Sequence, residues 1–90
     1  MADKLTDFTG RSTRAPYELD LGDGTVMSVP HPTNAAWREA TAADDMTGFL
    51  TSLGVDPAIA GRVGDALGDS DFGTESKLVT RMAEHFGKGN

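Results

Sequence analysis

Two imidazoles, His31 and His85, are the only side chains here whose ordinary titration falls between pH 5 and 8. Nucleophilic catalysis would need one of them within hydrogen-bond reach of a hydroxyl, with a third group holding the ring in place. His31 stands in Pro30-His31-Pro32 and His85 falls late in a helical stretch, and neither has a local partner pattern. His31 therefore reads as a surface residue and His85 as a cation complementing a helix C-terminus. With no cysteine in the chain, thiolate nucleophiles, disulfides and thiolate metal sites are excluded, and nothing supplies three or four zinc ligands at a recognisable spacing. No catalytic residue and no metal ligand is assigned, and an enzyme is not expected.

Carboxylates form two clusters, Asp20 with Asp23, and Asp65, Asp69, Asp71 and Glu75. A calcium loop started at Asp69 puts Asp71 at its third position. It then fails, with Gly73 at the fifth, Thr74 at the sixth where glycine is required, and Thr80 at the twelfth where a bidentate Glu is required. Turns and helix caps account for both clusters. Gly22-Asp23-Gly24 likewise reads as a turn and not a phosphate loop, because no helix N-terminus follows within reach.

The elements that carry these groups are punctuated clearly. Tyr17-Glu18-Leu19-Asp20-Leu21 and Thr25-Val26-Met27-Ser28-Val29 alternate apolar and polar around Gly22-Asp23-Gly24, which predicts a β-hairpin over residues 17–29. Period 2 places Tyr17, Leu19 and Leu21 on one face, with Val26 a looser member. Pro30-His31-Pro32 then enforces an extended crossover. A helical body over residues 33–87 follows. Its first helix, capped by Thr33 or Asn34, runs to Thr41 and buries Ala36, Trp37 and Ala40. The second starts at Asp44 or Asp45 and stops at Gly54. The third opens on Asp56-Pro57, closes at Gly68, and turns Ile59, Val63, Ala66 and Leu67 to one face, with Gly61 and Gly64 each costing about 1 kcal/mol relative to alanine. The fourth spans about Thr74 to Phe86, with Leu78, Val79, Met82, Ala83 and Phe86 inward and Gly87 as the stop. Residues 1–16 lack periodicity and read as a flexible arm on which Leu5 and Phe8 could dock. The expected fold is thus α+β and mostly α: an N-terminal hairpin packed on three or four short helices, a single small domain over residues 17–90.

Ninety residues bury only about 60 to 65% of the surface exposed by the unfolded chain. Leu, Ile, Val and Phe together number 17, below the roughly 20% at which high net charge begins to favour disorder, while alanine and glycine, 11 each, bury little area. Stabilisation by self-association or a partner is expected. A net charge of −6 opposes phosphate backbones, so no nucleic-acid partner is implied, and no apolar run reaches the length of a membrane span. The stripe Met46, Phe49, Leu50, Leu53 follows the i, i+3, i+4, i+7 template. These residues, with Met82 and Phe86, are the candidate partner-binding set, shared between a thin core and a partner groove.

The order of parts brings in a resemblance. The hairpin Tyr-Glu-Leu-Asp-Leu-Gly-Asp-Gly-Thr, the following Val-Pro-His-Pro-Thr, a helical body and the terminal Glu84-His85-Phe86-Gly87-Lys88-Gly89-Asn90 resemble tail assembly chaperones of long-tailed phages infecting actinobacteria. The resemblance covers roughly residues 14–90. It implies a protein of virion morphogenesis in the cytoplasm of the bacterial host, which binds the tape measure protein, keeps it soluble and helps recruit tail tube subunits, with no cofactor and no place in the finished particle. It also implies a second, longer product made by a −1 ribosomal slip. Gly87-Lys88-Gly89 can encode the required heptamer as GGA-AAG-GGN, whereas Phe86-Gly87-Lys88 cannot, since phenylalanine codons end in a pyrimidine.

Two other classes stand beside this one. A structural or adaptor subunit of the virion would share the same small, partner-stabilised character. An acidic decoy of nucleic acid would need carboxylates along one face at phosphate-like spacing, and here they fall mostly at turns and caps.

Overall fold

In the hairpin, main-chain geometry is concentrated on two glycines. The computed structural model describes Ala2, Lys4, Leu5 and residues 15–87, and within these the chain runs β1 (Tyr17–Asp20), β2 (Val26–Val29), α1 (Asn34–Thr41), α2 (Met46–Ser52), α3 (Pro57–Gly68) and α4 (Thr74–Gly87). Gly22 and Gly24 have φ of 89° and 90°, while Asp23 between them does not. The aspartates act instead through their side chains: Gly22 N–H donates to Asp20 Oδ1 at 2.8 Å and Thr25 N–H to Asp23 Oδ1 at 3.0 Å. The expected α+β architecture, an N-terminal antiparallel hairpin followed by four helices, is the one seen. The arm over residues 1–16 lies largely outside the described residues, as do Phe8 and residues 88–90; Leu5 is exposed.

Register decides which hairpin residues reach the core. Tyr17 pairs with Val29 and Leu19 with Met27, so the strand-two residues on the apolar face are Met27 and Val29, both fully buried. Val26 pairs with Asp20 on the opposite face and is half exposed, which corrects its expected membership of the core face. A shift of one residue exchanges the two faces, and the five-residue connection from Leu21 to Thr25, closed by Leu21 N–H to Thr25 O at 2.9 Å, sets that shift.

Each helix start has a side chain or carbonyl that accepts its first amides. Thr33 Oγ1 accepts from Ala36 N–H at 3.1 Å, Asp45 Oδ1 from Gly48 N–H at 2.8 Å, and Asp56 Oδ1 from Ala58 N–H at 2.9 Å with Pro57 next in line. α2 ends in a Schellman arrangement: Val55 N–H reaches Leu50 O and Gly54 N–H reaches Thr51 O, with Gly54 at φ 95°. Buried Leu50 and Val55 are the two ends of that motif, so the helix stop and the core are one structure.

α2 packs against α1 on one side and α3 on the other, and α4 touches α3 and β1. Of the expected inward faces, Ala60 replaces the exposed Ala66 in α3, and Ala83 in α4 is also exposed. A small methyl at the edge of an apolar stripe adds too little area to fix the roll of a helix, whereas Val63, Met82 and Phe86 do.

The two glycines within α3 are not equivalent. A Cβ on Gly61 would meet nothing, but one on Gly64 would collide with the Thr47 hydroxyl and lie 3.3 Å from the Thr47 backbone nitrogen. Gly64 is thus a point of close approach between α3 and α2. Gly61→Ala is expected to raise stability by about 0.5–1 kcal/mol and Gly64→Ala to lower it by about 1–3 kcal/mol, read as opposite shifts of the urea midpoint. Two shifts of the same sign would rule out this approach.

Candidate functional site

All six residues of the expected partner-binding set are buried in the folded chain. Leu50, Leu53 and Met82 face the interior and do not line the groove described next. Met46 and Phe49 form its floor, and Phe86 lines a second depression with His31 and Trp37. All six therefore serve the core, and Met46, Phe49 and Phe86 also line surface depressions. An apolar stripe at helical spacing is what a core requires, and this chain has few other large side chains to fill one.

The groove lies between the α1–α2 connection and the first half of α4, with a volume of about 370 Å³. Its floor is apolar, made by Ala40, Ala43, Met46, Phe49 and Val79. Trp37 supports the floor from behind, edge-on to Phe49 with ring centroids 5.6 Å apart. Its rim carries Asp44, Asp45 and Glu75, and among the described residues no lysine or arginine lines it. Helical geometry explains the asymmetry: at 100° per residue Glu75, Ser76, Val79 and Thr80 share one flank of α4, and Lys77 and Arg81 fall on the other.

A further depression at the α3–α4 turn shares Glu75 and Ser76 with the groove, so the two form one surface around the first turn of α4. On it stands Phe72, as exposed as a side chain can be at 107% of its reference area, between Asp71 and a Gly73 with φ 99°. Asp65, Asp69, Asp71 and Glu75 surround this turn, and none of their carboxylates accepts a hydrogen bond from a described residue. Of the side-chain turn and cap bonds expected of the aspartates, Asp20 and Asp23 make theirs in the hairpin turn and Asp45 and Asp56 at helix starts, while this second cluster makes none with a described residue. The reason is local: α3 ends through backbone bonds to Asp65 O, and α4 begins on the Gly73 and Asp71 carbonyls. Among the described residues no three acidic or histidine side chains converge to hold a metal ion.

Both histidines hold chain segments together. His31 Nε2 lies 3.1 Å from Phe86 O and His85 Nε2 lies 3.0 Å from Ala15 O. A carbonyl only accepts, so each Nε2 donates this bond. His31, half-buried, satisfies the Phe86 carbonyl in the last turn of α4, where His85 stands as the basic residue expected there; His85 also ties the approach to β1 onto α4 and packs edge-on against Tyr17. The crossover Pro30-His31-Pro32 brings His31 there.

Asp23 has a second role. Its carboxyl is held below the ordinary carboxylate value, first by the Thr25 amide and then by Arg62, whose guanidinium donates to Oδ2 at 2.6 Å. This exposed pair links the hairpin turn to α3.

With this geometry in place, comparisons with protein-family models, with curated proteins and with solved structures give no match. The site must then be read from its own chemistry. Phe72 is the residue that pattern reading passed over. It lies between helices, in phase with neither apolar stripe, and the signal was a lone aromatic inside the acidic run Asp69-Ser70-Asp71-Phe72.

Proposed function

We propose that the protein is a tail assembly chaperone of the kind its sequence resembles, acting in the cytoplasm of a bacterial host. It binds the tape measure protein, helps gather tail tube subunits on it, and catalyses nothing. The observation that carries this reading is the apolar-floored, acid-rimmed groove continuous with Phe72. A chaperone for a long apolar client needs reversible apolar contact, and it needs surrounding charge that keeps the complex in solution. Scattered single apolar residues are ordinary on protein surfaces. Here the fully exposed ring adjoins a groove, which makes the two a usable contact surface.

Co-expression with the tape measure protein tests this. The intact chain is expected to raise the soluble yield of the client at least several-fold, and Phe72→Ala to remove most of that gain while leaving the circular dichroism spectrum unchanged. No gain with the intact chain would overturn the reading. Immunoblotting of purified virions addresses the structural-subunit alternative: a chaperone is missing from them, and a stoichiometric band would make the protein an adaptor.

A further inference from the structure

We infer that the groove between the α1–α2 connection and α4 receives a basic amphipathic helix, with Phe72 inserting between the apolar residues of that helix at one end. This inference takes the existence of a client from the proposed function, but the site and the chemistry of its occupant come from the surface itself.

Three observations select this occupant. The floor is apolar and shallow, with Met46 and Phe49 presented from α2 and Val79 from α4, which suits side chains spaced at i, i+3 and i+4 on a helix better than an extended strand seeking a sheet edge. The rim bears Asp44, Asp45 and Glu75, and Asp71 flanks Phe72, with no cation among the described residues lining either depression. Charge complementarity therefore selects a partner face rich in lysine or arginine and rejects an acidic one. Lastly, the carboxylates around the α3–α4 turn are not used within the described fold, so a partner cation does not have to displace an internal contact. Met46 supplies an adaptable, polarisable contact that tolerates different apolar anchors.

The test uses the full chain and synthetic peptides of about 16 residues, long enough to form helix on a surface. One carries leucines at i, i+3, i+4 and i+7 with lysines elsewhere; a second replaces lysine by glutamate; a third scrambles the first. Binding is followed by fluorescence anisotropy, and the contact is located by shifts of backbone amide resonances. The lysine peptide is expected to bind, to shift amides across residues 40–49 and 72–80, and to weaken as salt rises. Phe72→Ala, and separately Asp44→Asn with Glu75→Gln, are expected to weaken it at least tenfold. These side chains are exposed, so each variant should keep the parent circular dichroism spectrum, with Glu75→Gln giving only a small fall in melting temperature from the loss of charge in the first turn of α4, and Asp45 is left in place because it caps α2. Equal binding of the scrambled peptide would reduce the effect to net charge and overturn the inference, and equal binding of the glutamate peptide would do so by removing the role of the rim. Shifts of the same amides on dilution without peptide would identify a second copy of the chain as the occupant, also overturning it. Peptide binding at the groove without any gain in tape measure solubility would remove the chaperone reading and leave the site; the converse would remove the site and leave the chaperone.

Discussion

Phe49→Asp is expected to leave the protein unfolded at 25 °C, with loss of the helical circular dichroism signal and of cooperative melting. Phe49 is buried at the centre of α2, flanked by the Trp37 ring 5.6 Å away, and among the described residues no basic side chain lines its surroundings in the groove. Removing the aromatic ring alone costs about 3–5 kcal/mol, and forcing a carboxylate into the same volume adds several more or obliges it to take up a proton. A chain of this length has a total stability of only about 5–13 kcal/mol, and its thin core places it toward the lower end. The loss therefore matches or exceeds what is available. Retention of a native-like spectrum would show that the Phe49 site relaxes far more readily than its packing implies. The consequence for function is direct: Phe49→Asp abolishes any client effect by unfolding, so the informative variant is Phe72→Ala, which removes apolar contact area without touching the core.

The elements themselves were legible because each is marked by chemistry that acts over a few residues. The hairpin turn, Asp45 and Asp56 as caps, Pro57 at a helix start and Gly54 as a helix stop all follow from local hydrogen bonding and local φ preferences, and all are found where the pattern places them. What was not legible depends on a second element. Val26 lies on the outer face because the length of the Leu21–Thr25 connection fixes the register. Gly64 matters and Gly61 does not because Thr47 of another helix lies opposite only one of them. His31 is half-buried, and not the surface residue expected, because the crossover carries it to the end of α4 across 55 residues of chain. The candidate site shows the same division: its floor residues Met46 and Phe49 follow from the stripe of α2, but that the groove continues through Glu75 and Ser76 to Phe72 depends on how α4 lies across the α1–α2 connection.

The core itself makes the second large prediction, that Leu50→Ala lowers stability by about 2–5 kcal/mol and moves the urea midpoint accordingly, with little change in the slope. Leu50 is wholly inaccessible to solvent, and α2, on which it lies, is the helix that packs against both α1 and α3. Its carbonyl accepts the amides of Leu53 and Val55, at 3.1 Å each, as the helix turns out through Gly54. The side chain of Leu50 and that of Val55 are therefore both buried at the close of the same motif, so the cavity left by truncation opens where the chain is already held in a left-handed turn. Collapse to fill it would have to disturb that turn, which argues for the upper half of the range. Leu67, half-buried near the end of α3, has no such constraint, and Leu67→Ala is the fitting control at a smaller loss. Equal losses at the two positions would mean that α2 is not the centre of the fold, and would remove the basis for treating Met46 and Phe49 as a rigid floor on which a partner could dock.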